Sequence, residues 1–307
     1  MIHISVMKTE AVRYLLHRDS QLVIDATVGA GGHAVAILAA RENVHVIGVD
    51  RDPQILVEAN KTMANFEGRF RLVNGNYAEI GDVLERNQKA DGVLVDLGVS
   101  SLQIDLSTRG FSYSVEGPLD MRMSDSGSTA KVLLEKTDEA ELTSILQKYG
   151  EVTGARRISR AIRAAVDRDE MNSTFDLRSA VESALRGTAQ PSLLSKVFQA
   201  IRIVVNDELG NLERFLESLV GVLRTNARVV VIAYHSLEDR IVKDFFVRES
   251  HDCICPPHIP VCVCEHRAVF EVLTRKVVKP TKEETERNPR ARSARLRAAR
   301  FIGQEGA

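Results

Sequence analysis

Apolar runs alternate with helix-like segments along the first hundred residues. The runs are short and rich in Val, Ile and Leu, which is typical of strands buried on both faces. They cover residues 21–26, 44–50, 70–74 and 92–97. Helix-like segments lie between them, at Gly31–Ala40 and from Pro53 to about Asn65. This alternation predicts an α/β fold with a doubly wound, parallel sheet and right-handed crossovers.

The hydrophobic pattern changes after residue 101. No buried-strand run occurs between about 102 and 206, where we instead predict helices at 129–136, 138–149, 155–168, 177–186 and 192–205. Strand character returns later, and we predict strands at 228–234, 269–273 and 294–298 and a helix at 237–247. We therefore predict a split α/β domain, residues 1–101 and 206–307, around a helical insertion, residues 102–205.

Composition narrows the class of protein. The 307 residues are 44% hydrophobic and 27% charged, which is typical of a globular chain. No stretch reaches the roughly 18 consecutive apolar residues of a membrane span. The first ten residues lack the pattern of a signal peptide, so we expect a cytoplasmic protein without a membrane partner. The net charge of −1 argues against a general nucleic-acid coat but permits local basic surfaces.

A glycine loop follows the first predicted strand and opens the first helix. The string Asp25–His33 (DATVGAGGH) lets a ligand approach the backbone and offers the free amides of a helix N-terminus. Asp50, at the end of the second strand, lies 19 residues after Gly31. A carboxylate at this spacing can accept hydrogen bonds from ribose hydroxyls. The combination predicts a nucleoside-cofactor site rather than a plain tight turn.

The loop fits two classes of cofactor. Residues 29–34 match the G-x-G-x-x-A fingerprint of dinucleotide enzymes. Asp25 and the glycines also match the D-x-x-x-G-x-G-G loop of methyltransferases that bind S-adenosylmethionine. Asp25 favours the methyltransferase, because it would repel a pyrophosphate and could meet the ammonium group of a methionine moiety. An NAD(P)-dependent oxidoreductase stays open as the alternative.

Several longer motifs occur in order along the chain. Asp96-Leu-Gly-Val-Ser-Ser-Leu-Gln103 ends the fourth strand, and later strings are RGFS, GPLDMRM, FQAIRI, VNDEL, HSLEDR and NPRARS. With the glycine loop, they make the sequence resemble the bacterial ribosomal RNA small-subunit methyltransferase H family, also called MraW. The resemblance implies an α/β, class I (Rossmann-like) S-adenosylmethionine-dependent methyltransferase with an inserted α-helical domain that recognises RNA.

The resemblance also implies the reaction and the partner. The family methylates the exocyclic N4 of one cytidine, at position 1402, in the decoding centre of 16S rRNA. The expected partner is therefore 16S rRNA or the small ribosomal subunit, and the protein could be a monomer or a homodimer. A non-catalytic ribosome-assembly factor is the alternative, against which the intact glycines and Asp50 argue.

The resemblance assigns the cofactor site residue by residue. Asp50 matches the ribose ligand, and Tyr77 matches an aromatic residue that packs on the adenine. The full expected set is Gly31, Gly32, His33, Asp50, Tyr77, Asp96 and Gln103. Many amino-methyltransferases carry an Asn/Asp-Pro-Pro-aromatic loop where this chain has Asp96-Leu-Gly-Val. The exocyclic amine as target therefore rests on the resemblance alone.

Three side chains are candidate catalytic groups. Asp96 is expected at the carboxyl edge of the sheet, where it could accept a hydrogen bond from the target amine. His235 and Ser236 follow the fifth strand and could contact the base edge, and Tyr234 could stack on the base. The alternative for His235 and Ser236 is structural, because Ser236 and Asp239 have the spacing of a helix capping pair.

Two arginine clusters are candidate RNA contacts. A segment near the C-terminus carries six arginines and no acid, and from it we select Arg290 and Arg292. In the insertion, Arg156, Arg160 and Arg163 recur on one face of a predicted helix whose other face is apolar. Guanidinium groups suit phosphates, and an ordinary solvated surface is the alternative.

All four cysteines lie close together, at positions 253, 255, 262 and 264. Their C-x-C spacing is less typical of a zinc site than C-x-x-C. We expect an unliganded loop, with a metal site or a redox-labile loop as alternatives, and assign no metal ligand from the sequence.

Overall fold

The computed structural model describes residues 5–98, 107–185, 187–256 and 261–303. The chain divides into two compact units, one comprising residues 1–98 and 210–307 and the other residues 99–209. Among the described residues, no helix is both long and apolar enough to cross a membrane.

Within the described ranges, the first unit is built on a seven-stranded sheet. Its strands are β1 (Leu22–Asp25), β2 (His45–Asp50), β3 (Phe70–Asn74), β4 (Ala90–Asp96), β5 (Leu223–Ala233), β6 (Phe270–Val272) and β7 (Arg295–Phe301). Their order across the sheet is β3-β2-β1-β4-β5-β7-β6. Because the order reverses between β1 and β4, the carboxyl ends of these two strands form the switch point where open α/β sheets bind ligands.

The helices that the structure describes are numbered along the chain. They are α1 (Lys8–Leu15), α2 (Gly32–Ala40), α3 (Pro53–Met63), α4 (Ala130–Lys136), α5 (Glu139–Gly150), α6 (Ala155–Val166), α7 (Thr174–Leu185), α8 (Pro191–Asn206), α9 (Glu208–Val222), α10 (Ser236–Arg248) and α11 (Lys282–Arg287).

Alternate residues of the central strands enter two separate cores. On β4, Val93 and Val95 belong to a core that includes apolar residues of α9 and α10. Leu94, between them, belongs to a second core with residues of α1, α2 and α3. Since successive side chains of a strand point to opposite faces, helices cover the sheet on both sides. This is the doubly wound arrangement that the continuous apolar runs predict.

The helical unit has a core of its own. Apolar residues of all five of its described helices meet there, including Leu134, Leu142, Ile158, Val181 and Val197. Side chains cap two of these helices at the N-terminus. Thr129 Oγ1 accepts a hydrogen bond from the Val132 amide, and Asp138 Oδ1 accepts one from the Glu141 amide. The unit therefore has both the buried apolar surface and the helix ends of an independent domain.

Two features of the sheet unit differ from the sequence prediction. The parallel arrangement holds for β1 to β5, but β7 pairs antiparallel with both β5 and β6. In addition, α1, α9 and α11 are helices that the sequence did not predict. The signal for α9 was present, because its buried residues Leu212, Phe215, Leu216 and Leu219 have the i, i+3, i+4, i+7 spacing of an amphipathic helix.

Candidate active site

The glycine loop leads from β1 into α2, and two of its positions require glycine. Gly31 has φ of +89°, a left-handed conformation that side chains rarely adopt. A Cβ atom on Gly32 would collide with Ser5 Oγ. No side chain of the described residues caps the N-terminus of α2. The loop thus leads into a helix end whose amides can bind the polar groups of a cofactor.

Asp25 ends β1 and is fully buried. Neither of its carboxyl oxygens makes a hydrogen bond with the described residues. Burial, followed by the charge of Asp96, raises its pKa to about 8, and the nearby amides of Thr27 and Ala34 offset this only in part. The carboxyl group is therefore mostly protonated at neutral pH. Because it is inaccessible, it does not present the anionic contact for an ammonium group that the sequence suggested.

Asp50 ends β2 and supports the glycine loop from the neighbouring strand. Its Oδ2 accepts a hydrogen bond from the Gly29 amide, and its Oδ1 accepts one from the Asp52 amide, each at 3.0 Å. Burial raises its pKa to about 6 against the effect of these two bonds. Each carboxylate oxygen has a second lone pair, so Asp50 can fix the loop and still accept hydrogen bonds from ribose hydroxyls.

Tyr77 lies just beyond β3, at the start of a 3-10 turn. The preceding residue, Asn76, accepts a hydrogen bond from the Ala78 amide at 3.1 Å and donates one to Asn211 Oδ1 at 2.6 Å. The Tyr77 ring packs edge-on against Phe215 of α9, with ring centroids 5.7 Å apart. The ring is held in place while staying partly exposed, as stacking against an adenine requires.

Asp96 ends β4 at the switch point of the sheet. Its amide donates a hydrogen bond to Thr27 Oγ1 at 2.7 Å, and the Tyr234 hydroxyl donates one to Asp96 Oδ1 at 2.8 Å. Oδ2 lies 3.7 Å from His33 Nδ1, and the side chain is 20% exposed. A carboxylate that is anchored on one oxygen and partly open to solvent can accept a proton or a hydrogen bond from a substrate amine.

His33 fastens the glycine loop to the N-terminal segment. Its ring is buried, and Nε2 donates a hydrogen bond to the Val6 carbonyl at 2.9 Å. Burial lowers the pKa of the ring to about 4, so it is neutral near pH 7, and the bond to a carbonyl places its proton on Nε2. The lone pair of Nδ1 then faces Asp96, and the two groups form no ion pair at neutral pH. His33 is one of the expected cofactor contacts, and since its ring is occupied, only its backbone can make that contact.

His235 is the N-cap residue of α10, and Ser236 is the first residue of the helix. The Nδ1 of His235 accepts a hydrogen bond from the Glu238 amide at 3.4 Å, and the Nε2 of His235 lies 3.1 Å from Glu238 Oε1. Glu238 in turn accepts bonds from the amides of Tyr234 and His235. The capping pair is thus His235 with Glu238, and the Ser236–Asp239 pair suggested by the sequence is wrong. This geometry favours the structural role of His235, and a catalytic role for His235 or Ser236 stays a prediction.

Two supporting residues were not assigned their observed roles from the sequence. Thr27, in the glycine loop, holds the Asp96 backbone, and Tyr234 binds the Asp96 carboxylate through its hydroxyl instead of offering only a stacking surface. Thr27 and Tyr234 follow β1 and β5, the two strands that flank β4 in the sheet, and their polar groups just beyond these strand ends were the available signal. Gln103, the remaining expected cofactor ligand, lies outside the described residues.

The arginines of α6 fall into two groups. Arg156 and Arg160 are exposed and share one partner, Glu139, at N–O distances of 3.7 and 3.4 Å. Arg163 instead donates hydrogen bonds to the carbonyls of Leu134 and Thr137, at the C-terminal end of α4, at 2.7 and 3.0 Å. The expectation that all three form one RNA-facing ridge therefore needs correction, because Arg163 is committed to capping a helix.

The C-terminal arginines are divided in the same way. Arg290 and Arg292 lie in a 3-10 turn at 289–293, and their side chains are exposed. Arg297 and Arg300 belong to β7 and bind acidic partners, Asp239 and Glu271 respectively. Arg290 and Arg292, the two residues selected from the sequence, are therefore both at the surface.

Comparison with known proteins gives a match along almost the whole chain. The model of the MraW methylase family matches residues 1–302. Curated relatives carry the name ribosomal RNA small subunit methyltransferase H. The protein from Anaeromyxobacter dehalogenans is 46% identical over 301 residues, with 96% of each chain covered. The protein from Nitratidesulfovibrio vulgaris is 43% identical over 308 residues, with 98% of this chain and 95% of the relative covered.

Solved structures are less similar. A putative rRNA methylase from Clostridium thermocellum aligns over 98% of this chain and 100% of its own, at 11% identity and a TM-score of 0.44. A putative methyltransferase from Streptococcus mutans, solved in complex with SAH, has 11% identity and a TM-score of 0.43, with 96% of this chain and 95% of its own covered. Likeness at this level adds nothing to the family match.

Proposed function

The chain belongs to the MraW methylase family, and on that premise we propose that it methylates the exocyclic N4 of one cytidine in the decoding centre of 16S rRNA. The methyl donor of this family of methylases is S-adenosylmethionine. The names of the relatives support small-subunit rRNA as the substrate class. The choice of base, atom and position is the finer part of the proposal.

The described residues fit the cofactor. S-adenosylmethionine supplies a methyl group on a positively charged sulfur. Gly31 has a left-handed conformation, Gly32 packs closely against Ser5, and the loop that they form leads into an α2 N-terminus without a side-chain cap among the described residues. Asp50 has lone pairs to accept the ribose hydroxyls, and Tyr77 offers a fixed, partly exposed ring for the adenine. Asp25 remains beneath the loop as a buried, mostly neutral group.

The observation that carries the catalytic proposal is the partly exposed Asp96 carboxylate at the switch point of the sheet. The amine of cytosine is a poor nucleophile because its lone pair is delocalised into the ring. Asp96 accepts a hydrogen bond from that amine, which localises the lone pair on nitrogen, and it receives the proton that the nitrogen loses after methylation. Tyr234 donates a hydrogen bond to Asp96 Oδ1 at 2.8 Å and so orients the carboxylate towards the switch point.

We further propose that the helical insertion, residues 102–205, contributes to RNA recognition. Arg156 and Arg160 are exposed on α6 and share a single acidic partner, so they can exchange Glu139 for a phosphate. Arg290 and Arg292 of the sheet unit are a second basic surface. These contacts are with the sugar-phosphate backbone, and they position the RNA without reading its sequence.

One experiment tests the reaction. The protein is incubated with labelled S-adenosylmethionine and either free 16S rRNA or small subunits that lack the modification, and the labelled nucleoside is mapped by nuclease digestion and mass spectrometry. We expect N4-methylcytidine at the decoding centre. Label on another nucleoside, on a ring carbon or on a ribose would overturn the proposal, as would the absence of label with both substrates.

The role of Asp96 needs a separate variant. Asp96→Asn keeps the size of the side chain but removes the proton acceptor, so we expect methyl transfer to fall by roughly 100-fold or more. Asp244→Asn is the matched control, because Asp244 is exposed on α10 and pairs only with Lys243 among the described contacts. Cofactor binding is measured in parallel by calorimetry. If Asp96→Asn turns over like the control, Asp96 has no part in the chemistry.

A further inference from the structure

The four cysteines of the chain come together in the connection between α10 and β6. Their Sγ atoms all lie within 4.8 Å of one another. The Sγ of Cys264 is 3.6 Å from that of Cys262 and 3.9 Å from that of Cys253, so the thiols are close but unbonded. Four Zn–S bonds of about 2.3 Å in a tetrahedron place the sulfurs about 3.8 Å apart. The cluster therefore has the dimensions of a four-thiolate metal site.

Backbone amides of the two C-x-C segments point at sulfurs of the opposite segment. The Ile254 amide, inside the first segment, donates to Cys264 Sγ at 3.4 Å. The Val263 amide, inside the second segment, donates to Cys255 Sγ at 3.5 Å. Each donor stabilises the thiolate form, which is the form that binds a metal. The two segments thus support each other's sulfurs in a reciprocal arrangement.

The described residues of the connection form no apolar core that could hold this arrangement. None of the described residues in 251–256 and 261–268 is buried, and they form no helix or strand. Val261 and Val263 are 70% and 72% exposed. Apart from the sulfur contacts, few bonds span the described part of the connection. The Ala268 amide donates to Asp252 Oδ1, and at its base the amides of Val269 and Phe270 donate to the Glu249 carbonyl, while His266 pairs with Glu249. Ordering a segment costs conformational entropy, and because this segment buries little apolar surface, a cross-link is needed to offset that cost.

We propose that Cys253, Cys255, Cys262 and Cys264 bind one Zn²⁺ ion and that this ion fixes the connection between α10 and β6. An all-sulfur tetrahedral set favours zinc among divalent ions, and on binding each thiol releases its proton. The protein fills all four coordination positions, so water and substrate have no access to the metal. The site is therefore structural and takes no part in methyl transfer.

The metal itself provides the first test. The protein is purified under reducing conditions with zinc in the growth medium, and bound metals are measured by mass spectrometry. We expect one zinc per chain. Replacement by Co²⁺ is expected to give the sulfur-to-cobalt charge-transfer and visible bands of tetrahedral thiolate coordination. Because the chain has no other cysteine, a thiol reagent reports on this cluster alone and should find four thiols only after a chelator removes the metal.

Variants assign the ligands. Cys255→Ser and Cys262→Ser each remove one sulfur from a different C-x-C segment, and we expect either change to weaken zinc binding at least 100-fold. His266→Ala is the control, because His266 follows Cys264 closely but pairs with Glu249, and it should retain one zinc. Binding of S-adenosylhomocysteine verifies that each variant is folded.

Several results would overturn the proposal. They are wild-type protein that takes up neither zinc nor cobalt under reductant, serine variants that keep wild-type zinc, iron as the bound metal, and loss of zinc in His266→Ala. Two disulfides that form in place of metal binding would instead identify a redox-labile loop. None of these readouts depends on methyl transfer, so they are independent of the proposed function.

Discussion

Asp25 and Asp96 are chemically identical side chains on neighbouring strands, and access to solvent separates their roles. Asp25 is fully buried, and burial raises its pKa to about 8 because the nearby amides of Thr27 and Ala34 offset it only in part. Asp96 is partly exposed and accepts a hydrogen bond from the Tyr234 hydroxyl. Both the sequence and the structure place these residues at strand ends. The sequence could not show which of the two is exposed to solvent, because that depends on how neighbouring strands and the glycine loop pack around them.

The Tyr234 hydroxyl gives a prediction at this scale. Burial, followed by the charge of Asp96, raises the pKa of Tyr234 well above its usual value, so the hydroxyl stays protonated and keeps donating to Asp96. Tyr234→Phe removes a hydrogen bond to a charged group, and we expect the rate constant for methyl transfer to fall roughly 10- to 100-fold. Single-turnover assays with saturating RNA measure this rate.

Tyr14→Phe is the matched control for that change. It removes a tyrosine hydroxyl from α1 and leaves the hydrogen bond from Arg228 to the backbone carbonyl of residue 14 unchanged. Equal rates for Tyr234→Phe and Tyr14→Phe would show that the bond to Asp96 does not position the carboxylate.

Asp25 gives a prediction about stability and pH. In the unfolded chain its carboxyl group ionises near the ordinary pKa of 3.8, whereas in the folded protein the pKa is about 8. Between these values the unfolded chain binds fewer protons, so raising the pH favours unfolding. Asp25→Asn mimics the neutral form, and we expect its melting temperature to exceed that of the wild type by a margin that grows by several degrees from pH 5 to about pH 8 and is constant above.

Thermal unfolding at half-unit pH steps measures this margin. The exposed variant Asp244→Asn supplies the baseline for the loss of one carboxylate far from the loop. A margin that stays constant across the same pH range would mean that Asp25 ionises normally in the folded protein.

At the scale of single elements, α6 shows why a helical pattern predicts a face but not the partners of that face. The sequence correctly puts Ile158 and Ile162 in the core and the arginines on the opposite side. It could not show that Arg163 reaches the carbonyls ending α4, because α4 lies more than twenty residues earlier and its direction is a tertiary property. The N-terminus of α10 is a second example. His235 and Glu238 have the same spacing as Ser236 and Asp239, so spacing alone could not show which pair caps the helix.

The two groups of arginines on α6 should respond differently to substitution. The double change Arg156→Ala and Arg160→Ala removes exposed cations, so we expect weaker binding of 16S rRNA and a salt dependence lowered by about one to two units. Arg163→Ala removes a helix cap, and we expect a loss of about 1–3 kcal/mol in the stability of the helical unit.

Filter binding at several salt concentrations and thermal unfolding separate the two effects. The result that contradicts this assignment is a double variant with an unchanged salt slope, or an Arg163→Ala protein that melts like the wild type while binding RNA more weakly.

At the scale of the whole molecule, the chain builds two units, and only the helical unit is continuous in sequence. The strand runs predict the sheet core well, because parallel strands buried on both faces are apolar throughout. A strand was predicted at 294–298, but its antiparallel direction was not, because the direction in which a strand pairs is a tertiary property that its own sequence does not carry. A net charge near zero likewise gives no sign that, in both units, some arginines bond to carbonyl or carboxylate groups of the same chain.

Separate cores imply separate unfolding. Asn206, at the end of α8, accepts a hydrogen bond from the Met123 amide at 2.8 Å and donates one to the Met121 carbonyl at 2.7 Å. These bonds tie the last helix of the helical unit to its irregular first segment. We expect Asn206→Ala to speed amide hydrogen exchange throughout α4 to α8 by roughly tenfold or more and to leave β1 to β5 unchanged.

Exchange followed by mass spectrometry resolves the two units by peptide. Asn226→Ala, in β5 of the sheet unit, is the reciprocal control, because any effect of that change should appear in the sheet. Faster exchange in both units from Asn206→Ala alone would show that they unfold as one.

The adjacency of β4 and β5 has a consequence for the nascent chain. More than 120 residues separate Asp96 from Leu223, although the two strands pair directly in the sheet. At about 5–20 residues per second, a ribosome needs roughly 6 to 25 seconds to make them. During that interval β4, whose residues from Ala90 to Val95 are all buried in the finished sheet, has one unpaired edge. The helical unit, with its own core, is complete before β5 emerges, so the protein is at its most aggregation-prone while half made, and chaperones that act on nascent chains have their target there.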